Sequence, residues 1–422
     1  MNNCIFSVSS YFDGESVHQN GPYIIVTENS KITEIISDSL TTDRTELSQQ
    51  FRDLSIPVIN AEFLMPGMVE AHCHLFLNGG ELDFQARKDY FVQPEEAMLQ
   101  TARDNLRDSV ANGITLIRDA GDRYGINHKI RDEFVNSHVK IRSPGQALRR
   151  PKKYGSFMAT EVESPEEMRA AVVKAYNAAD DLKIILTGII DFEAGTVTKP
   201  PQFDLESLNE LMDMAHEHNM LTFTHCSGIE GLKIAAEAGV DSIEHGFFMT
   251  REVLELMAQK GIAWVPTFSP VHFQWHRPEL AGWDESTVAN LKAILDSHSE
   301  HLAIGHDLNV NIVAGSDAGS YGVRHGYALI DELLFMVDAG MPIAAVLASA
   351  TSVPRELWSE QTANIQVGNS ANFVALKTSP FEQAESLRQV EFVFNNGCML
   401  KKGVEVTITS DTMAADDSTS CS

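Results

Sequence analysis

His72 and His74 stand at the end of a short apolar run, in Glu70-Ala71-His72-Cys73-His74. Side chains two positions apart on a strand point to one face, so both imidazoles can reach a single ion. A second H-x-H, His216-Glu217-His218, falls in a helical stretch where positions i and i+2 diverge, and it reads as surface. Metal-competent side chains recur at the ends of later apolar runs, in Thr224-His225, Glu244-His245-Gly246 and Gly315-Ser316-Asp317-Ala318-Gly319. Imidazole and carboxylate ligands suit zinc, and also cobalt or manganese. Lys183 sits inside the run Asp181-Leu182-Lys183-Ile184-Ile185. An ammonium within a strand buried on both faces needs a partner, which is either a buried ion pair or a functional group.

These residues need elements that bring them together. Eight strands are predicted at 64–71, 114–118, 139–142, 182–186, 221–224, 241–244, 262–267 and 311–314, separated by helical segments. Ser164 before Pro165, Glu166 and Glu167 reads as a helix N-cap and first turn. Helices are also expected over 205–219, 231–238, 285–306, 327–339 and 342–350. Strands alternating with helices fit a (β/α)8 barrel or a doubly wound sheet. The barrel is preferred because it brings strands one, five, six and eight around one axis and works at their C-terminal ends. Residues 1–60 hold short β-like runs, and strand-like alternation returns at 364–376 and 390–395. The expected organisation is α/β: a barrel over 64–355 and a small β-sandwich from both chain ends, 1–63 and 356–408. The polar tail, 409–422, is expected to be disordered.

Composition narrows the function classes. The 422 residues are 43% hydrophobic and 22% charged, ordinary for a globular chain. Lys plus Arg is 32 against 59 Asp plus Glu, a formal charge of −27, which disfavours nucleic acid as a partner. No run is long and apolar enough for a membrane span, and the opening MNNCIFSVSSYFDG lacks a basic, apolar leader. Cys4, Cys73, Cys226, Cys398 and Cys421 are odd in number, irregularly spaced and without a CxxC, which argues against disulfides or a thiolate zinc site. The reading is a soluble cytoplasmic protein acting on a small molecule, with a homo-oligomer left open.

The segment MPGMVEAHCH, taken with Lys183, His225, His245 and Asp317, resembles the amidohydrolase superfamily. Within it, the similarity is to imidazolonepropionase-like members that include metal-dependent Xaa-Pro and Xaa-Arg dipeptidases. The resemblance covers nearly the whole chain and implies two divalent ions, zinc first, with cobalt or manganese as alternatives. His72, His74 and Asp317 would hold one ion, and His225 and His245 the other. Lys183, carbamylated by carbon dioxide, would bridge both. Hydroxide held by the ions would attack a carbonyl, and Asp317 would pass the proton to the departing nitrogen. A mononuclear site with a structural Lys183 is the alternative. His325 and Glu332 follow Asp317 in the family's pattern, and His325 would orient the substrate or Asp317.

Several residues are candidates for substrate binding. Arg149-Arg150-Pro151-Lys152-Lys153-Tyr154 places four cations in five positions after the third strand. Arg149 and Arg150 could hold an anionic substrate group, or the segment is a solvated basic loop. Tyr154 could polarise a carbonyl, and His272, in a loop after the seventh strand, could line the pocket. Ser227 replaces the aromatic or His common in the dipeptidase-like relatives, and Gly145-Gln146-Ala147-Leu148 replaces their Gly- and His-rich run. Both departures widen the substrate class beyond dipeptides. The expected activity is hydrolysis of a C–N amide-type bond in a peptide, N-acyl compound, urea, carbamate or cyclic amide. The alternatives are a mononuclear heterocycle deaminase using Glu230, which Lys183 argues against, or a phosphotriesterase-like side activity. The complete ligand set disfavours a binding protein without catalysis.

Overall fold

The computed structural model describes residues 3–37, 56–403 and 405–408. The expected tail, 409–422, and Cys421 lie outside these residues. Cys4, Cys73, Cys226 and Cys398 are all buried.

Two β-rich regions divide the chain. The first is a nine-stranded sheet built from both ends of the described sequence. Its path runs Glu405–Val406, Cys398–Lys402, Val390–Asn395, Asn372–Leu376, Val58–Pro66, Asn3–Phe12, Tyr23–Glu28, Lys31–Ser37, with Val17–His18 pairing Asn3–Phe12. The Phe6 ring lies 5.0 Å from Phe394 and 5.1 Å from Phe373. Phe6 and Phe394 are three strands apart, about 14 Å in a flat sheet. The sheet therefore folds over on itself around this aromatic cluster. Its other face, with Phe12, Phe63, Met65 and Val374, joins the main core.

The second region is parallel. Met68–Cys73, Ile114–Asp119 and Lys140–Arg142 form one arc. A longer arc runs Ala159–Glu161, Ala147–Arg149, Asp181–Ile185, Leu221–Cys226, Ser242–His245, Ala263–Val265, Asn311–Ile312. Backbone bonds join their edges: Ala71 N–H to Ala314 O at 3.1 Å, and Asp317 N–H to His72 O at 2.7 Å. Asp180 N–H, just before the interior strand Asp181–Ile185, also reaches Ser143 O, just after Lys140–Arg142, at 3.0 Å. The helices between strands follow the sequence reading closely, as in Leu205–Glu217 and Glu285–Asp307. Ser164 and Glu167 form a reciprocal capping box on Pro165–Tyr176. No helix among the described residues is long and apolar enough to cross a membrane.

The run predicted as one strand over 64–71 is two. Val58–Pro66 pairs Asn3–Phe12 and Asn372–Leu376, while Met68–Cys73 opens the parallel arc. Gly67 marks the crossing. A Cβ there would meet Asn372 Oδ1 at 2.0 Å and Thr115 Oγ1 at 2.4 Å, so only glycine lets the strands change partner so tightly.

Candidate metal centre

Alternation along Met68–Cys73 points Glu70, His72 and, just past its end, His74 to the inner side. The Glu70 carboxylate accepts from His72 N at 3.0 Å, Ser316 N at 2.9 Å and Ser316 Oγ at 2.5 Å, pinning the first parallel strand to the segment bearing Asp317. The two pass so closely that a Cβ on Gly315 would sit 2.9 Å from His72 N. His245 and Asp317 both have positive φ, 69° and 55°, so each leaves its strand through left-handed backbone. Such non-glycine residues cost of order 1 kcal/mol or more and cluster at functional sites.

The rings are oriented from behind. His72 Nδ1 donates to Glu244 Oε2 at 2.5 Å, and His74 Nδ1 to Gly121 O at 3.3 Å. Each Nε2 is thereby left facing Asp317 Oδ1, at 3.7 Å and 3.4 Å. The His72, His74 and Asp317 ligand atoms lie within 4.8 Å of one another. Two imidazoles and a carboxylate so disposed fit a divalent ion. Beside them, His245 Nδ1 meets Thr267 Oγ1 at 2.7 Å, while its Nε2 faces His225 Nδ1 at 2.8 Å. Lys183 is 1% exposed, its Nζ lies 4.5 Å from the Phe223 ring centroid, and it has no hydrogen-bond partner among the described residues.

Burial, reinforced by Lys183, lowers His72 to about 4 and His225 to about 3 and holds His245 well below its ordinary range. Their lone pairs are thus free near neutral pH. Burial works against ionised Asp317, yet the hydrogen bond from His74 and the neighbouring imidazoles keep it strongly acidic; although burial opposes it, Asp317 in turn raises His74 above its ordinary value. Burial brings Lys183 down to about 8, within reach of the neutral amine.

These six side chains open into a cavity of about 440 Å³ whose walls include Phe91, Phe157, Phe192, Phe247, Ile189 and Ile190. Tyr154 lies in the wall, its ring 5.4 Å from His225, and Ser227 is also exposed to the cavity. Arg149 and Arg150 do not line it. Arg149 stands opposite Glu161 in the strand register, donating to Glu161 Oε1 at 2.7 Å and Lys153 O at 2.6 Å. Arg150 donates to Glu163 O at 2.6 Å and Ser207 Oγ at 2.9 Å and lies over the Phe203 ring. His272 belongs not to a loop but to the helix Ser269–His276, and it packs 4.1 Å from the Phe335 ring, outside the lining. His325 is buried beyond the lining, and burial lowers its ring to about 3. Glu230 is exposed in the first turn of Ile229–Ala238.

Three features went unread in the sequence. Arg118 and Glu244 form a fully buried pair at 3.0 Å behind His72, and Arg118 Nε also donates to Ala71 O at 2.9 Å. A charged residue ending an apolar strand, the signal that singled out Lys183, was available for Arg118. The aromatic wall comes from four separate segments and leaves no local pattern. Arg87, which also faces the cavity, lies on the short helix Phe84–Tyr90 and carries no motif.

The chain is similar to several known proteins. It is 28% identical over 296 residues to an uncharacterised protein of Mycobacterium tuberculosis, covering 69% of this chain and 74% of that one. It is 26% identical over 381 residues to the ochratoxinase of Aspergillus niger, covering 80% of this chain and 75% of that protein. Among solved structures, a Xaa-Pro dipeptidase with bound methionine superposes with a TM-score of 0.78 at 24% identity, covering 95% of this chain and 100% of that one. The A. niger ochratoxinase structure gives 0.77 at 21% identity, over 95% and 96% of the two chains. The model of the amidohydrolase family matches residues 63–414, and the chain belongs to that family.

Proposed function

We propose that this protein is a metal-dependent hydrolase of a carbon–nitrogen amide-type bond in a small molecule, working at the mouth of a closed (β/α)8 barrel. The barrel would span 64–355, flanked by a β-sandwich from 1–63 and 356–408. The observation that carries the reading is the convergence of His72, His74, Lys183, His225, His245 and Asp317 on one cavity, with an oxygen acceptor behind Nδ1 of each of the first two imidazoles. His72, His74 and Asp317 would hold one ion and His225 and His245 a second, zinc first, with cobalt or manganese as substitutes. Lys183 as the neutral amine would take up carbon dioxide, lose a proton and bridge both ions as a carbamate. Its partnerless, buried Nζ and lowered pKa support this. Divalent ions bound there would lower the pKa of water and polarise a carbonyl.

The chain supplies the rest. Ser320 Oγ donates to Asp317 Oδ2 at 2.9 Å and fixes that carboxylate. Asp317 takes the proton from the attacking water and delivers it to the leaving nitrogen. Burial pushes the Tyr154 phenol up, so it keeps its proton and can donate to a carbonyl oxygen in the cavity. His325, buried behind His74, is a positioning residue. The apolar walls exclude water from the reacting groups and favour an aromatic or branched substrate. The test is a hydrolysis screen of zinc- or cobalt-loaded protein on dipeptides, N-acyl amino acids, aryl amides, ureas and cyclic amides, read by mass spectrometry. A carboxylic or carbamic acid released with its amine is the expected result. Ammonia released from an otherwise intact ring would replace this reading with deamination.

A further inference from the structure

Thr267 follows the strand Ala263–Val265, is fully buried and borders the cavity. Its φ is +48°, in the left-handed region. A β-branched residue is an outlier there, and it persists only where its surroundings fix it. Here they do so on both sides. Before it, His298 Nε2 donates to Pro266 O at 2.9 Å. After it, the Glu332 carboxyl accepts from Phe268 N at 2.9 Å and Ser269 N at 2.5 Å. The His298 ring is buried among Phe247, Trp264 and Phe268, with centroids 4.0, 5.3 and 4.6 Å away. Its Nδ1 has no hydrogen-bond partner among the described residues. A phenyl ring would suit that box better, so the bond to Pro266 O is what the imidazole adds.

The clamp fixes the Thr267 hydroxyl, which meets His245 Nδ1 at 2.7 Å. His245 also has left-handed backbone, and Trp264 Nε1 donates to its carbonyl at 3.0 Å. With the ring held at Nδ1, its Nε2 points at His225 Nδ1, 2.8 Å away. We propose that Thr267 is a positioning residue: Glu332 and His298 hold its backbone left-handed so that its hydroxyl aims the His245 ring at His225. This rests on the reading of His225 and His245 as ligands of one ion. The support differs from that of the neighbouring half, where Glu244 stands behind His72. Loss of such a partner costs about 10- to 100-fold in metal affinity, and here it acts on one half of the site alone.

The experiment is a calorimetric zinc titration of the metal-free protein. Thr267→Val keeps the β-branching and exchanges only the hydroxyl for a methyl. The wild type should take up two ions per chain. In Thr267→Val one should bind as before and the other at least about tenfold more weakly, and Thr267→Ser should restore it. His298→Phe, which keeps the stacking on Phe247, should weaken the same ion. A merely structural role would lower the melting temperature of these variants and leave both affinities unchanged, and that result would overturn the proposal. Equal weakening of both ions would overturn it as well. A second readout needs no metal. With nitrogen-15 histidine, the ring signals assigned to His245 by their loss in His245→Ala should shift in Thr267→Val, while those of His72 and His74 stay. Unmoved His245 signals would overturn the proposal. Uptake of a single ion by the wild type would end the two-ion reading, and the His245 signals would then decide whether Thr267 orients the ring.

Discussion

Two sets of buried polar side chains lie side by side in the parallel region, and they are treated oppositely. Behind His72, Arg118 is saturated: it donates to Ala71 O and Glu244 and is stacked between Phe223 and Trp358, with ring centroids 4.3 Å and 4.6 Å away. Glu70 likewise receives three hydrogen bonds. In front of His72, Lys183 Nζ lies over the Phe223 ring but has no hydrogen-bond partner among the described residues, two histidine nitrogens face each other, and two residues hold left-handed backbone. Burying polar groups without partners costs stability, and a fold retains them where a ligand completes them. The back set is therefore architecture and the front set is a site held ready.

The largest expected effect breaks the front set alone. Asp317→Asn keeps the shape and one oxygen but removes the proton carrier. Turnover should fall by about 10²- to 10⁴-fold, with the melting temperature nearly unchanged. Wild-type rates from Asp317→Asn would refute the proposed proton path. The converse variant, Arg118→Met, breaks the back set. It removes the guanidinium that does most to offset the burial of Glu244, whose carboxyl is held at about 2, and leaves that carboxylate its hydrogen bonds from His72 and Ser242. Denaturant unfolding should show a loss of about 3–5 kcal/mol. A stable Arg118→Met protein would mean that the pair is not architecture.

Metal removal sharpens the contrast, because an ion that binds only the folded chain stabilises it by mass action. At a hundred times its dissociation constant, zinc should add about 2.7 kcal/mol, lost on chelation. In His72→Ala the gain should shrink, and in Arg150→Ala it should persist. A pH scan separates a third group. Burial raises Glu332 to about 8, although Phe268 N–H and Ser269 N–H donate to it. The folded chain therefore holds this proton where the unfolded chain has released it. The contribution is full below the ordinary value near 4.5 and is lost as pH rises through about 8. Glu332→Gln should flatten the fall in melting temperature across that window. An unchanged slope would assign the pH dependence elsewhere.

How far the sequence could be read follows the same division. Strand alternation and the apolar runs put His72, His74, His225, His245 and Asp317 at strand ends, since a period of two is a local property. Lys183 was legible because a charge inside such a run conflicts with its surroundings. Whether a charge faces a cavity or a neighbour depends on contacts far away along the chain. Arg149 looked like a substrate ligand until the strand register set Glu161 opposite it. Arg87 carries no sequence signal, because its acceptor on Gly319 lies 232 positions further along the chain. The split of 64–71 into two strands needed the partners of Gly67, which lie in two different sheets.

The smallest effect tests the basic segment that the sequence favoured. Arg150 ties the segment after Ala147–Arg149 to the carbonyls of Val162 and Glu163 and to Ser207, and its guanidinium covers the Phe203 ring. It is part of a surface brace between neighbouring β/α units and is absent from the cavity wall. Arg150→Ala removes hydrogen bonds to partners that water can reach, and it uncovers one ring face. The expected cost is about 1 kcal/mol, read by denaturant unfolding. KM for an anionic substrate should stay within twofold of wild type. A tenfold rise in KM for an anionic substrate in Arg150→Ala would instead place the basic segment at the substrate and overturn its assignment as a brace.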